Sequence, residues 1–423
     1  MKILVLAPDI PATSKMPGSP RLFNLCRELS RQHELFLLTY CSSGERHQSF
    51  LSDPTAAKVF STVEVLPDPP AMTWWGQQRH RLHLAASFET RFRFPEYYRT
   101  IRSKVREMCI QNRCDLIYVD LLPMGQYVDP GLDVRAIIDL HDSMTLMARR
   151  VLKTTRGWRE RLAIYSHLMR IQQLEGALGR TFGLVVTNSS VDEQVIREVS
   201  PASNAMTITN GVDMGYFAPD HSRVDADKLV FTGVMGYGPN EDAALFFARE
   251  IFPFVRKQRP NAEFWIVGSE PTDRVKELGG IAGVHVTGKV DDVRPYLSQA
   301  AVFVCPLRYG TGVKNKLLAA MAMQKPIVAT PLSIDGLDLI DNREVLLADE
   351  PQAFAEKVVG LLVDRSAAGR LGSNGLARVQ SQYSWAAMGQ ALEKAIQTVL
   401  ESRKACGHQA VEKLLHVSEG AKR

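Results

Sequence analysis

The sequence lacks several features that mark common classes of protein. Its six cysteines (26, 41, 109, 114, 305 and 406) include no Cys-x-x-Cys pair, so neither a disulfide framework nor a zinc site is predicted. No window approaches about 18 uninterrupted apolar residues, so no transmembrane helix is predicted. The net charge of +5 is too small to indicate a nucleic-acid partner by itself. We therefore expect a cytoplasmic protein with reduced thiols in its core.

The N-terminus could be mistaken for a targeting segment. Its apolar run, Ile3–Ala7, ends at Pro8-Asp9 and is too short for the hydrophobic region of a signal peptide. It is typical of a buried strand at the start of a parallel sheet.

What is present is a repeated alternation of apolar runs and amphipathic stretches. A chain of 423 residues is too long for one ordinary core, so two domains of roughly 200 residues are expected. Strands alternating with helices predict an α/β protein with two doubly wound domains. The predicted strands are Ile3–Ala7, Glu34–Tyr40, Thr62–Leu66, Leu116–Asp120, Ala136–Leu140, Gly183–Thr187, Lys228–Gly233, Glu263–Gly268, Val284–Gly288, Ala301–Cys305, Ile327–Thr330 and Glu344–Leu347. The clearest helical stretches are Arg21–Gln32, Ser190–Val199, Asn240–Gln258 and Val290–Ala300.

A glycine loop follows one of these predicted strands. Gly310, Thr311 and Gly312 come after Ala301–Cys305 and precede a helix that bears Lys316. Glycines let the backbone approach a ligand, and a helix N-terminus directs N–H groups at an anion. Lys316 would add a point charge for a phosphate. These features alone predict a nucleotide or phosphate site.

The order G-x-x-x-K-x-L-x-A-M-A-x-x-x-P-I-V-A-T, from Gly312 to Thr330, is more specific. It resembles the donor-binding segment of retaining GT-B glycosyltransferases of family 4, and most of all the sugar transferases associated with bacterial exopolysaccharide gene clusters. The resemblance implies two facing Rossmann-like domains with an interdomain cleft. It also implies a hexosyltransferase-like enzyme that uses a nucleotide-sugar, needs no metal or other cofactor, and acts on a lipid-linked or polysaccharide acceptor with retention at the anomeric carbon.

The resemblance also sets the expected domain limits. Residues 1–203 would form the acceptor domain and residues 204–385 the donor domain. The turn-rich stretch 200–220, which contains Asn210-Gly211, lies at this boundary. A helix over residues 386–405, capped by Ser384, would return to complete the first domain, and residues 406–423 would form a polar tail.

Two residues are candidates for catalysis. His141 follows the strand Ala136–Leu140, and ligands meet the carboxyl ends of strands in such sheets. The resemblance implies that His141 contacts the transferred sugar and that Lys316 binds the donor diphosphate. A structural histidine is the alternative.

The resemblance implies a further set of donor-binding residues, most of them in loops at strand ends. On spacing alone, ordinary βα loops are the alternative. Within the set, Arg21 would reinforce an oxyanion site at a helix N-terminus, Asn240 would cap the helix that follows it, and Val290 would contact the base through its backbone. The set is Gly18, Ser19, Arg21, Gly233, Asn240, Gly268, Val290, Gly310, Thr311, Gly312, Val313 and Ala319.

One departure from the family pattern affects the expected activity. The family places Glu directly before Ala-Met-Ala, where this chain has Ala319, and an acidic or polar partner eight residues earlier, where it has Thr311. Losing a hydrogen bond to a charged group removes roughly 1.5–3 kcal/mol, or about 10- to 150-fold in affinity. We expect Ala319 at the lip of the cleft, where Glu would be tolerated. The alternative function is a weak or inactive homologue that binds a glycan or a partner. A nucleotide-sugar epimerase would need acid and base groups that the sequence does not identify.

Basic and aromatic residues are interleaved in two stretches, Trp74–Arg113 and Met147–Arg161. Such a surface suits anionic lipid headgroups, and it also suits RNA. A solvated helical face with its aromatic residues in the core is the third interpretation. Given the resemblance to transferases with lipid-linked acceptors, an anionic membrane surface is preferred over nucleic acid. We therefore expect a protein that can lie peripherally on the inner face of the cell membrane.

Overall fold

The computed structural model describes residues 1–11, 21–40, 48, 50–66, 90–155, 157–220, 224–310 and 312–401, without the side chains of residues 92, 93 and 154. Three of the predicted site residues, Gly18, Ser19 and Thr311, lie outside the described residues. So do residues 74–89 of the first basic stretch and residues 402–423, which include the predicted polar tail.

The chain divides into two compact units. Unit 1 contains Met1–Ile208 together with the residues from Gly389 onward, and unit 2 contains Thr209–Met388. Each unit is a parallel sheet with helices between its strands, which confirms the predicted α/β fold class.

Seven parallel strands form the sheet among the described residues of unit 1, in the order β3-β2-β1-β4-β5-β6-β7. The strands are β1 (Lys2–Ala7), β2 (Glu34–Tyr40), β3 (Thr62–Leu66), β4 (Leu116–Asp120), β5 (Arg135–Asp139), β6 (Leu184–Thr187) and β7 (Ala205–Thr207). In β1, β4 and β6 almost every side chain is buried, as in a sheet covered on both faces. The helices are α1 (Arg21–Leu29), α2 (Pro54–Val59), α3 (Thr90–Arg93), α4 (Pro95–Asn112), α5 (Leu122–Gly125), α6 (Met144–Thr154), α7 (Trp158–Gly176), α8 (Leu178–Thr181) and α9 (Ser190–Val199).

Unit 2 has six described parallel strands in the order β10-β9-β8-β11-β12-β13. They are β8 (Lys228–Thr232), β9 (Glu263–Val267), β10 (Val284–Val286), β11 (Val302–Cys305), β12 (Ile327–Ala329) and β13 (Leu346–Leu347). The main helices are α10 (Gly238–Phe246), α11 (Phe252–Gln258), α12 (Asp273–Lys276), α13 (Arg294–Gln299), α14 (Asn315–Ala322), α15 (Pro351–Val363) and α16 (Arg365–Gln382). One apolar core, which includes Phe247, Phe264, Phe303 and Phe354, fills the space between this sheet and its helices.

A last helix, α17, covers residues 385–401, and from Gly389 it belongs to unit 1. Ser384 Oγ accepts a hydrogen bond from Ala387 N at 3.2 Å and so caps this helix, as predicted. Further along, Glu393 Oε2 lies 2.5 Å from His33 Nε2. A Cβ added to Gly389 would lie 2.3 Å from the Cβ of Glu28, so only glycine allows this close approach to α1. Among the described residues, no helix combines the length and apolar composition needed to span a bilayer.

Candidate nucleotide and sugar site residues

In unit 2, the strand order changes direction between β8 and β11. From β8 the chain proceeds outward through β9 and β10, and it then returns to β11 on the other side. Ligands of doubly wound sheets bind at such a point, outside the carboxyl ends of the strands. The loops that flank it are residues 233–237, after β8, and residues 306–310 and 312–314, after β11. Both contain residues predicted from the sequence to bind a donor.

Two of those residues, Gly233 and Gly268, lie against each other. Gly233 N donates to Val267 O at 3.0 Å, and Gly268 has a φ of +147°. A Cβ added to Gly268 would lie 1.8 Å from Gly233 O, which no real side chain allows. The strand-end loops of β8 and β9 can therefore approach each other this closely only because residue 268 is glycine.

Lys316 lies in the first turn of α14. Its Nζ is 2.5 Å from Asn240 Oδ1 and 4.2 Å from the centre of the Phe231 ring. A Cβ on Gly233 would lie 3.0 Å from this ammonium, so glycine makes room for it. No carboxylate in the described part of the chain forms an ion pair with Lys316. Burial lowers the pKa of Lys316 to about 8.

The arrangement around Lys316 suits an anion. A half-buried ammonium that contacts a neutral oxygen and an aromatic ring, with the Lys314 cation nearby, gains energy from any negative charge placed beside it. The N-terminus of α14 adds partial positive charge at the same strand end. This geometry can bind a phosphate group and stabilise negative charge that develops on it.

Asn240 does not have the predicted role. The helix begins at Gly238, so Asn240 lies inside its first turn, and its N-cap residue Tyr237 makes no side-chain cap. The Asn240 Nδ2 donates to Val234 O at 2.9 Å, and its Oδ1 accepts from Lys316. The prediction of a cap was wrong because the preceding Pro239 starts the helix earlier. Asn240 positions the lysine instead.

The loop after β11 has an unusual backbone. Gly310 and Gly312 have φ values of +132° and +69°, a region that L side chains rarely adopt. The Lys314 ammonium donates to Gly312 O, and both Val313 and Lys314 are buried. The two glycines therefore give this loop a backbone course that other residues would rarely adopt.

The last two predicted donor-binding residues of unit 2, Val290 and Ala319, both pack against or within the apolar core. Val290 follows β10 and packs against the apolar core of unit 2. Ala319 is 8% exposed and belongs to that core, in the middle of α14. The expected position at a lip was wrong, because the face of α14 that carries Ala319 is packed. A Glu there would need a polar partner to offset the loss of its hydration.

In unit 1, His141 follows β5 at the carboxyl edge of the sheet. It has a φ of +62°, and its Nε2 lies 2.8 Å from Asp120 Oδ1 at the end of β4. Burial alone would lower the pKa of His141, but the charge of Asp120 and its hydrogen bond outweigh this and raise the pKa. A strained backbone at a strand end, together with a fixed imidazole, is typical of functional positions.

A buried ion pair supports this strand end. Arg21 Nε donates to Asp139 Oδ2 at 2.8 Å, and Tyr118 Oη donates to the same oxygen at 2.7 Å. His141 N donates to Asp139 Oδ1 at 3.2 Å. Burial opposes ionisation of Asp139, but Arg21 and His141 outweigh it and hold its pKa below the usual range. Arg21 was predicted to reinforce an oxyanion site, but its guanidinium is 1% exposed and occupied by Asp139. It acts on His141 through Asp139.

Two more buried carboxylates were not found from the sequence. Glu175, at the end of α7, accepts hydrogen bonds from Ser143 Oγ and from Met144 N at the start of α6, and burial raises its pKa. Asp192 Oδ1 accepts from Ser143 N at 2.8 Å. No local pattern predicts these contacts, because they join residues more than 30 positions apart. They fix the segment that follows His141.

Residues 226–364 match the family model described as "Glycosyl transferases group 1". Unit 2, which contains this stretch, is therefore of glycosyltransferase group 1 type. The chain is also 22% identical over 237 residues to the capsular polysaccharide biosynthesis glycosyltransferase CapM of Staphylococcus aureus, a match that covers 52% of this chain and 62% of CapM. The chain spans about half the length of the curated relatives it matches, 42% of one and 62% of the other.

Solved structures resemble the chain over almost all of its length. A sucrose-phosphate synthase from Thermosynechococcus elongatus is 17% identical, with 95% of this chain and 100% of that chain covered and a TM-score of 0.68. HepE of Anabaena in complex with UDP is 15% identical, with 94% and 100% covered and a TM-score of 0.64. At such identities the likeness concerns the fold, which is GT-B, as predicted from the sequence.

Proposed function

We propose that this chain is a glycosyltransferase that moves a sugar from a nucleotide-sugar to a cell-surface or exopolysaccharide acceptor, with retention of anomeric configuration. The observation that carries the proposal is Lys316 at the strand-order switch of unit 2. It is a half-buried ammonium with a neutral partner, beside glycine loops and a helix N-terminus. This is the arrangement that a donor diphosphate requires.

In the proposed reaction, unit 2 holds the donor. The diphosphate lies against Lys316 and the start of α14, and the backbone near Val290 contacts the base. The bond between the anomeric carbon and the diphosphate oxygen breaks, while an acceptor hydroxyl oxygen forms the new glycosidic bond. The proton of that hydroxyl passes to the departing diphosphate. Negative charge grows on the departing diphosphate, and Lys316 stabilises it. No metal or other cofactor takes part.

We propose that His141 of unit 1 contacts the transferred sugar. His141 lies at the strand end, and Asp120 fixes the orientation of its imidazole and favours the protonated ring. An oriented imidazole can donate a hydrogen bond to a sugar hydroxyl. The tie through Asp139 to Arg21 makes this placement rigid.

The comparisons support the general class of reaction, which is glycosyl transfer. HepE was solved with UDP, and CapM is a capsular polysaccharide transferase. For this chain we propose a nucleotide-sugar donor and a lipid-linked or polysaccharide acceptor. We place the reaction on the cytoplasmic face of the membrane.

The test is turnover of UDP- and GDP-sugars by the full chain, with lipid-extracted bacterial glycans as acceptors and the product anomer read by NMR. We expect release of nucleoside diphosphate with one donor and a product of retained configuration. A product of inverted configuration would contradict retention. Absence of turnover with every donor would contradict the enzymatic proposal.

A second function is favoured by one observation, Ala319 in place of the family's Glu. A homologue without this carboxylate could bind a glycan or a partner without catalysing transfer. It would bind sugars or saccharides in calorimetry while releasing no nucleoside diphosphate, which separates the two functions.

A further inference from the structure

Unit 1 carries an unusual concentration of exposed apolar side chains on the hairpin of α6 and α7. Of the fifteen large apolar side chains that are exposed in the described part of the chain, six lie between residues 147 and 169. They are Met147, Val151, Trp158, Leu162, Tyr165 and Met169. Scattered apolar residues on a surface are ordinary, but a contiguous group indicates contact with something else.

On α7 the exposed residues form one stripe. Trp158, Leu162, Tyr165 and Met169 are spaced by four, three and four positions, which places them on the same face of a helix. The opposite face, which includes Ala163 and Ile164, lines a cavity of about 430 Å³ shared with α6. The stripe therefore points away from the hairpin's own packing.

Basic residues flank this stripe. At about 100° per residue, Arg159 and Arg170 lie on one side of it and Arg161 on the other. Arg159 lies at the border between the stripe and the cavity, which it lines together with Glu160. Residues 144–176 contain seven Arg or Lys and two Glu, a net charge of +5, which equals the charge of the whole chain. Of the two Glu residues, Glu175 is buried. Arg149 forms an ion pair with Glu198 of α9, and the other charges on the described surface of the hairpin are mostly positive.

The hairpin is also held as one body. Arg161 Nη1 donates to Leu152 O at 2.8 Å and to Thr155 O at 3.0 Å, which joins the end of α6 to the start of α7. Glu175 accepts from Ser143 and Met144 at the other end. The stripe on α7 is therefore held rigidly, whereas Met147 and Val151 of α6 line the cavity on the other side of α7.

We propose that the exposed face of the α6–α7 hairpin lies on an anionic lipid bilayer. Trp158, Leu162, Tyr165 and Met169 enter the interface between headgroups and acyl chains, and the flanking arginines pair with lipid phosphates. An apolar stripe bordered by Arg, with an amphipathic Trp and Tyr, matches the chemistry of such an interface. The biological purpose of this contact, access to a lipid-linked acceptor, rests on the proposed function, but the contact itself does not require turnover.

The experiment is flotation of the full chain with vesicles of phosphatidylcholine alone or with added phosphatidylglycerol. We expect binding to the anionic vesicles that weakens as salt is raised. Leu162→Glu should lower the partition coefficient by about tenfold or more. Val363→Glu is the matched control, because Val363 is a similarly exposed apolar residue (66% against 62%) on α15 of unit 2, outside both basic stretches. It should bind like the wild type.

The proposal would be overturned if the wild-type chain bound neither kind of vesicle. Equal loss of binding in Leu162→Glu and Val363→Glu would also overturn it. So would a dimer in sedimentation equilibrium that Leu162→Glu dissolves, because a second copy would then cover the stripe. Trp158→Ser, at the most exposed of these positions, repeats the test should Leu162→Glu fold poorly. Flotation needs no donor, so the chain can bind vesicles even if it shows no turnover. It can equally show turnover without binding vesicles, so the two proposals fail independently.

Discussion

The Nζ of Lys316 and the Oδ1 of Asn240 lie 2.5 Å apart, although 76 residues separate them in the chain. The contact joins the first turn of α14 to the first turn of α10, and it passes beside Gly233. Asn240 is uncharged, so it orients the ammonium without neutralising it. The positive charge of Lys316 therefore remains available to a ligand.

Binding of nucleoside diphosphate should depend on pH through Lys316. Its pKa of about 8 lies below the usual 10.5, so the ammonium loses its proton as pH rises through 8 in the free protein. We expect UDP or GDP affinity to fall between about pH 7.5 and 9.5 in calorimetric titrations. Lys316→Arg, which keeps its charge at all these pH values, should bind with a flat profile. Equal slopes for both proteins would show that another group titrates.

The same pKa makes a prediction about stability. Between pH 8 and 10.5 the unfolded chain binds more protons at this lysine than the folded chain, so the contribution of Lys316 to stability rises with pH in that window. Lys316→Met should remove this contribution, which denaturant titrations at several pH values can detect. A contribution that fell with pH would contradict the assignment.

Gly268→Ala should disturb the nucleotide loops severely. The added Cβ would meet Gly233 O at 1.8 Å, and the φ of +147° is unfavourable for alanine. We expect a loss of about 2–5 kcal/mol in stability, with UDP binding weakened in the protein that remains folded. Gly279→Ala is the control, because its Cβ would have nothing within 4 Å. A thermal midpoint for Gly268→Ala as high as that of the control would show that the loops can move apart.

Asp120→Asn should lower the pKa of His141. Burial already opposes protonation of His141, and Asp120 supplies the largest effect in the other direction. NMR titration of the histidine rings should show the shift, and Asp142→Asn should change the titration far less, since Asp142 faces Asn188 instead. If the two variants titrate alike, Asp120 does not control the imidazole.

His141 also affects stability in a definite pH window. Its folded pKa lies above 6.5, so its contribution to stability is fully present below that pH and is lost as pH rises through the folded value. Asp120→Asn should flatten this dependence in thermal unfolding measured from about pH 6.5 upward. Unchanged dependence would indicate that another group is responsible.

Much of the fold could be predicted because buried parallel strands appear in the sequence as continuous apolar runs. Strands such as β4 and β9 were predicted within one residue of their ends. β7 was missed because it has three residues and lies in a turn-rich stretch. The helix predicted over Asn240–Gln258 is interrupted by a π-turn at Phe247–Ile251, because Pro253 has no N–H to continue the ladder.

The site could be predicted only in part, and its residue roles stay predictions. Gly310, Gly312 and Lys316 lie close together in the chain, so a local pattern indicated them. Their partners are distant. Asp139 meets Arg21 across 118 residues because β1, β4 and β5 are neighbours in the sheet, an order that residue patterns do not specify.

The most direct test of the central claim is calorimetry of the full chain with UDP and GDP, beside their nucleosides. For one of the diphosphates we expect one saturable site, which Lys316→Met weakens about 10- to 150-fold while binding of the nucleoside hardly changes. Lys325→Met is the matched control, because Lys325 is a second buried lysine with a pKa of about 8 that donates to the backbone at Ser298. It should bind like the wild type if folded. No heat with either diphosphate at millimolar concentration, or equal losses in the two lysine variants, would contradict the claim that Lys316 holds a nucleotide-sugar donor.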